Sequence, residues 1–305
     1  MNIKHSLYGL LCGTLMLASC SSDEPTAPSA QKVEASFSLN IAGEVATRAG
    51  NSDSSLGGAQ NLGAENLNYI LALYEVGEND ALILSDFCQV SDRDGDGECF
   101  SPMVTLGKTY MMVALAHFGD KRNIADADKT DYLKTMQIEN IVNSEAEDFY
   151  VATKTARFTV DNLQHALTLK RPYAKLRIVA TDYPAATTIS SVSIDYGTNT
   201  LFNRFDALTQ QFSDATVSQT LTAEQYSDAT DATAKTIVAD YFPVNANVDT
   251  YLQAFTVTVT LRGGSSISRF SRTFNDIPLQ RNALTTLSGA FFSSQSQMKC
   301  DITND

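Results

Sequence analysis

Phe255-Thr256-Val257-Thr258-Val259-Thr260-Leu261-Arg262-Gly263-Gly264-Ser265 decides the fold class of this chain. Phe255, Val257, Val259 and Leu261 alternate with Thr256, Thr258 and Thr260, the two-residue period of a strand with one buried face. Arg262 to Ser265 then carry turn chemistry, and a second run extends from Ile267 to Phe274. The stretch therefore predicts a β-hairpin.

Runs of β-branched and aromatic residues of the same kind occur on both sides of it. They predict strands over Ala35–Ile41, Leu67–Val76, Leu82–Val90, Thr109–His117, Ala156–Val160 and Leu163–Leu169. Further strands are predicted over Tyr173–Thr181, Thr188–Tyr196, Thr216–Leu221, Thr236–Phe242 and Leu284–Phe292. Short strands separated by Gly, Asn, Asp and Pro clusters predict β-sandwiches. One helix is expected from Ala125 to Glu139, with Tyr132, Leu133 and Met136 on its apolar face.

The first twenty residues combine Lys4, an apolar run from Leu7 to Leu17, and the small residues that lead into Cys20. The run is too short to span a bilayer. Leu17-Ala18-Ser19-Cys20 reads as a lipoprotein processing site, so residues 1–20 are a signal peptide and Cys20 is the lipidated residue that anchors the mature chain. Residues 21–32 are polar and proline-bearing, a flexible tether. The acidic pair Asp23-Glu24 within it resembles the signal that sends Bacteroidota lipoproteins to the outer face of the outer membrane.

The remaining length suggests two domains, 33–165 and 166–305, with the junction near Lys170-Arg171-Pro172, where proline cannot donate to a ladder. The net charge is −13, and it grows by one unit when Lys4 leaves with the signal. Such a surface repels nucleic acid and anionic headgroups, and no nucleic-acid partner is expected.

Cys12 leaves with the signal and Cys20 carries lipid, leaving Cys88, Cys99 and Cys300. In an oxidising compartment Cys88 and Cys99 are the expected disulfide pair, their strands running side by side around an acidic loop, and Cys300 remains over. Within that loop Asp92, Asp94 and Asp96 alternate ahead of Gly97, as in the first half of a calcium loop, with Glu98 a further ligand. The second half fails, because Met103 stands where a bidentate Glu is needed; a solvated hairpin tip is the competing reading.

No catalytic pattern emerges. His117 and His165 sit in different predicted strands without metal-ligand spacing, and both read as satisfied structural histidines. Nucleophile elbows, phosphate-cradling loops and the H-E-x-x-H pattern are all missing from the sequence. The absence of tryptophan weakens a carbohydrate-platform reading.

Several segments together resemble the fimbrillin-like lipoproteins of Bacteroidota, the subunits of type V pili. Ala46-Thr47-Arg48-Ala49 looks like their processing site. Asp148-Phe149-Tyr150 ahead of Phe158-Thr159-Val160 also matches. Leu167 to Arg177 looks like the strand that opens their second half, and Ile277-Pro278-Leu279-Gln280-Arg281-Asn282 with Thr285 to Gly289 like their closing hairpin. The resemblance implies an all-β fold of two tandem transthyretin-like Greek-key sandwich domains with at most one or two short helices.

It also implies a non-enzymatic subunit of an adhesive fimbrium, surface-exposed on the cell outer membrane through its lipid anchor. Its expected partners are other fimbrial subunits and an unidentified host or bacterial receptor. Cleavage between Arg48 and Ala49 would release an edge strand that buries Phe37, Leu39 and Ile41. A neighbour's strand would then fill the groove, with Met298, Cys300 and Ile302 the donor face. The alternative is a surface lipoprotein that captures glycan or protein without polymerising.

Overall fold

A computed structural model of the chain describes residues 31–41, 67–92, 98–118, 129–137, 149–217, 220–223, 234–245, 250–293 and 298–304. These residues are mostly strand, in open sheets stacked as sandwiches, so the all-β class predicted from the alternation is the one observed. In chain order the first strands are β1 (Lys32–Glu34), β2 (Ser36–Ile41), β3 (Leu67–Val76), β4 (Leu82–Asp92), β5 (Glu98–Phe100), β6 (Met103–Thr105) and β7 (Thr109–Phe118). After the short helix α1 (Lys129–Tyr132) come β8 (Met136–Gln137), β9 (Phe149–Arg157) and β10 (Gln164–Leu169).

β4, β3, β7 and β9 form an antiparallel sheet in that order. Its inner face carries Tyr69, Leu71, Leu73, Met112, Ala114 and Tyr150 into a core shared with Phe37, Leu39, Leu167 and Leu169. The alternate residues Ile70, Ala72, Tyr74, Val113, Leu115 and Phe149 are buried on the opposite face. Burial on both sides is why Leu67–Val76 reads as a nearly unbroken apolar run rather than an alternation.

The chain continues with β11 (Tyr173–Ala180), β12 (Thr188–Asp195), β13 (Thr200–Asp206), β14 (Gln211–Val217), β15 (Thr220–Ala223) and β16 (Lys235–Pro243). The last strands are β17 (Thr250–Leu252), β18 (Phe255–Gly263), β19 (Ser266–Phe274), β20 (Ile277–Leu279), β21 (Ala283–Gly289) and β22 (Lys299–Asn304). Two four-stranded sheets, β16-β11-β21-β22 and β15-β12-β18-β19, close on a second core. Val257, Val259 and Leu261 point into it, as the alternation predicts. The β18–β19 hairpin turns at Gly264, whose φ of +60° glycine adopts without steric cost.

Three sequence expectations need correction. The expected helix contributes only α1 among the described residues, and Met136 lies in β8, paired with Phe205 of β13. Leu133 and Met136 are buried as expected, Met136 in that pairing and Leu133 just ahead of it, where its carbonyl accepts the Ala207 N–H. The strand expected at Ala156–Val160 ends at Arg157; beyond it the ladder becomes irregular, with the Phe158 N–H donating to the Lys108 carbonyl and its carbonyl accepting from the Gly107 N–H. The run Thr216–Leu221 belongs to two strands, β14 and β15.

Candidate functional site

The residues of interest lie on β2. Phe37 and Leu39 are completely buried, Ile41 half-buried, and Ser36 and Asn40 exposed, so the predicted two faces are present. Full burial of each large apolar side chain stabilises by roughly 1.5–3 kcal/mol. Phe37 meets the His165 ring at 5.5 Å and the Phe158 ring at 6.1 Å, and Tyr110 holds Phe158 edge-on at 5.4 Å.

The expected edge position of β2 is incorrect. It is the middle strand of a three-stranded sheet, parallel to β10 from Ser36↔Gln164 to Ile41↔Leu169 and antiparallel to β5 from Phe37↔Phe100 to Leu39↔Glu98. The Ser36 N–H also donates to the Leu163 carbonyl and the Ala35 N–H to that of Pro102. Removing β2 therefore breaks two ladders and uncovers an apolar floor, a larger loss than peeling an edge. Beside it lies a groove of about 290 Å³ lined by Ser36, Ser38, Gln164, His165 and Ala166.

The C-terminal face departs from expectation as well. β22 pairs with β21 at the rim of its sheet. Met298 is buried in the chain's own core, whereas Cys300 and Ile302 are exposed, so the three do not form one apolar donor face. The segment ahead of β22 is pinned by Asp182. Its carboxylate accepts the Phe291, Phe292 and Ser293 N–H groups at 2.6, 3.0 and 2.6 Å, and the Ser293 hydroxyl at 2.6 Å. Partial burial pushes this carboxyl up, but the Ser293 hydroxyl and the three N–H groups together outweigh it and hold the group below its usual range.

Two of the sequence motifs meet in space. The Arg171 N–H donates to Asn282 Oδ1 at 2.9 Å, and its guanidinium donates to the Tyr150 hydroxyl of β9 at 2.7 Å. Neighbouring Arg281 donates to Gln210 Oε1 at 2.7 Å, and Gln210 donates onward to Thr153 of β9 at 2.9 Å. Burial pulls the Arg281 guanidinium down to about 10. Both arginines, with the apolar cluster that joins Phe149 to Tyr173, Phe205 and Phe212, tie β9 to the later strands.

Cys20, Arg48, Ala49, Asp94 and Asp96 lie outside the described residues, as do the side chains of Asp92, Glu98 and Cys99. The expectation that the strands of Cys88 and Cys99 run side by side is corrected: β4 pairs with β3, and β5 with β2. Among the described residues no group of three or more His, Cys, Asp and Glu could hold a metal, and no helix is long and apolar enough to cross a membrane. His117 is fully buried in β7. His165 is buried too, but neither ring nitrogen makes a hydrogen bond of good geometry, contrary to its reading as a satisfied residue. A lone histidine gave no sequence signal of its place against Phe37, because the two come together only through the β2–β10 pairing.

A family model described as a family of unknown function (DUF6562) matches residues 25–305. No curated protein matches the chain in sequence. Among solved structures, the tip fimbrial protein Mfa3 of Porphyromonas gingivalis, with a C-terminal truncation, has 8% sequence identity and a TM-score of 0.51. That likeness covers 90% of this chain and 100% of the other. A fimbrial assembly protein of Parabacteroides distasonis has 13% identity and a TM-score of 0.46, covering 89% of this chain and 96% of its own. The fold thus resembles that of the tip fimbrial protein.

Proposed function

We propose, for a chain that belongs to the family of unknown function DUF6562, the role of a structural subunit of a cell-surface fimbria that supports adhesion. The observation that carries this reading is the setting of β2. A short strand fills an apolar slot between two neighbours and leads directly into the segment that bears Arg48. Cleavage there would leave β2 held in the slot by no covalent bond to the rest of the body. A vacated slot with two open ladders is a site for another chain's strand. The solved fimbrial proteins named above support the same reading through fold.

In full, the precursor is exported, lipidated at Cys20 and carried to the surface of the outer membrane. The mature body is two sandwich domains that divide after β10, slightly later than the 165/166 boundary expected from sequence, because β10 completes the first sheet and core. A protease cuts between Arg48 and Ala49, β2 leaves, and a neighbour's C-terminal strand enters. Donation by this chain's own tail requires β22 to leave β21 and Met298 to leave the core.

Those last requirements favour a second reading. With β2 paired on both sides and the tail docked at home, the chain also suits a surface-anchored lipoprotein that captures glycan or protein without polymerising. Mass spectrometry of the mature surface protein separates the two. An N-terminus at Ala49, lost in Arg48→Ala together with assembly but not export, supports the subunit. An acylated Cys20 on an intact chain that forms no filaments supports the binder and defeats the subunit.

A further inference from the structure

We propose that His165 is an acid-sensitive latch on β2: as a neutral ring it packs against Phe37 and holds the strand in its slot, and on protonation it loosens that strand. The inference concerns how β2 is held in the uncut chain and stands whether or not strand exchange follows. His165 opposes Phe37 in the parallel β2–β10 register. Its ring stacks on Phe37 at 5.5 Å and 28° and meets Phe158 at 4.9 Å and 65°, so two aromatic walls surround it.

Only 4% of the residue is exposed, and neither ring nitrogen makes a hydrogen bond of good geometry. An imidazolium in that position must give up water with little in return. Burial is the chief influence that disfavours its charged form, and the like charge of Lys154 on β9 adds to it. Only the Asn162 backbone carbonyl favours the proton. β2 presents no titratable side chain to the ring, and the nearby walls are Phe37 and Phe158. The groove along Ser36, Ser38, Gln164 and Ala166 gives solvent a route to the site.

The direction of the effect follows from linkage. The folded state disfavours the proton, and an opened β2 exposes the ring to water at its ordinary value of about 6.5. Opening is thus insensitive to pH above that value. Below it, opening becomes easier by up to about tenfold per pH unit until the folded group itself titrates.

Hydrogen exchange of the full chain, read as protection factors for the β2 amides against those of β7, tests this between about pH 7.5 and pH 5. The expected result is a selective fall of about tenfold or more in β2 protection, absent in His165→Phe, which keeps a ring and loses the proton site. Unchanged β2 protection in the natural chain, or the same fall in His165→Phe, overturns the latch. If that variant does not fold, an NMR titration of the natural imidazole decides. A midpoint below about 6.5 that accompanies the loss of β2 protection supports it, and a midpoint at or above that value overturns it.

Discussion

Truncating Phe37 to alanine tests whether β2 is an integral part of the first core. Its ring is fully buried between Phe158 and His165. An aromatic side chain removes about 150–250 Å² from water. At about 25 cal/mol per Å² this gives roughly 4–6 kcal/mol, an upper bound because the unfolded chain already buries part of that surface. Tyr110 packs edge-on against Phe158 and opposes its movement into the vacancy, so a cavity is expected. The loss expected for Phe37→Ala is therefore about 3–5 kcal/mol. Urea unfolding of the full chain, followed by far-ultraviolet circular dichroism and by tyrosine fluorescence, measures it. A loss below about 1 kcal/mol, with β2 amides as protected as before, would refute the placement of Phe37 in the core.

Asp182→Asn should flatten the acid limb of stability. The natural carboxyl is held below its ordinary value, so its contribution is present above about pH 4 and lost as pH falls through the folded value; thermal melts from neutral to acid pH compare the two chains. Arg281→Met should cost about 1–3 kcal/mol by stranding the Gln210 carboxamide, and a double variant with Gln210→Ala should lose less than the sum of the singles. Gly197→Ala should cost about 1–3 kcal/mol, since φ is +57° and an added Cβ would lie 2.9 Å from the Ala254 carbonyl oxygen. Gly264→Ala, at φ +60° with nothing within 4 Å, should cost less, and equal losses in melting temperature would remove the steric explanation.

Local pattern carried most of the strands. Thr256, Thr258 and Thr260 announce an outer face whatever lies elsewhere in the chain, and the β18–β19 pair begins and ends close to the predicted limits. Leu67–Val76 was legible as a strand by its composition, though its burial on both faces depended on Phe149, Phe205 and Leu133 arriving from distant segments. What the sequence could not disclose was partnership at long range. β2 has the alternation of an edge strand, and only β5 and β10, contributed by remote segments, make it internal. The same reason hid His165, whose surroundings come from β2 and from Phe158 just past the end of β9. Met136 shows a different limit, for an apolar spacing that suits a helix also suits a strand once Phe205 offers it a ladder partner.

β2 and β10 run in the same direction through six aligned positions. A pull along the strand from its N-terminal end therefore loads those contacts in shear, all at once, instead of unzipping them one after another. Tension on the chain ahead of Lys32 passes first through the β1–β6 pairing and then loads β2 along its axis, whereas a sideways tug peels the ladder one bond at a time. The strand is thus placed to bear mechanical load along its axis.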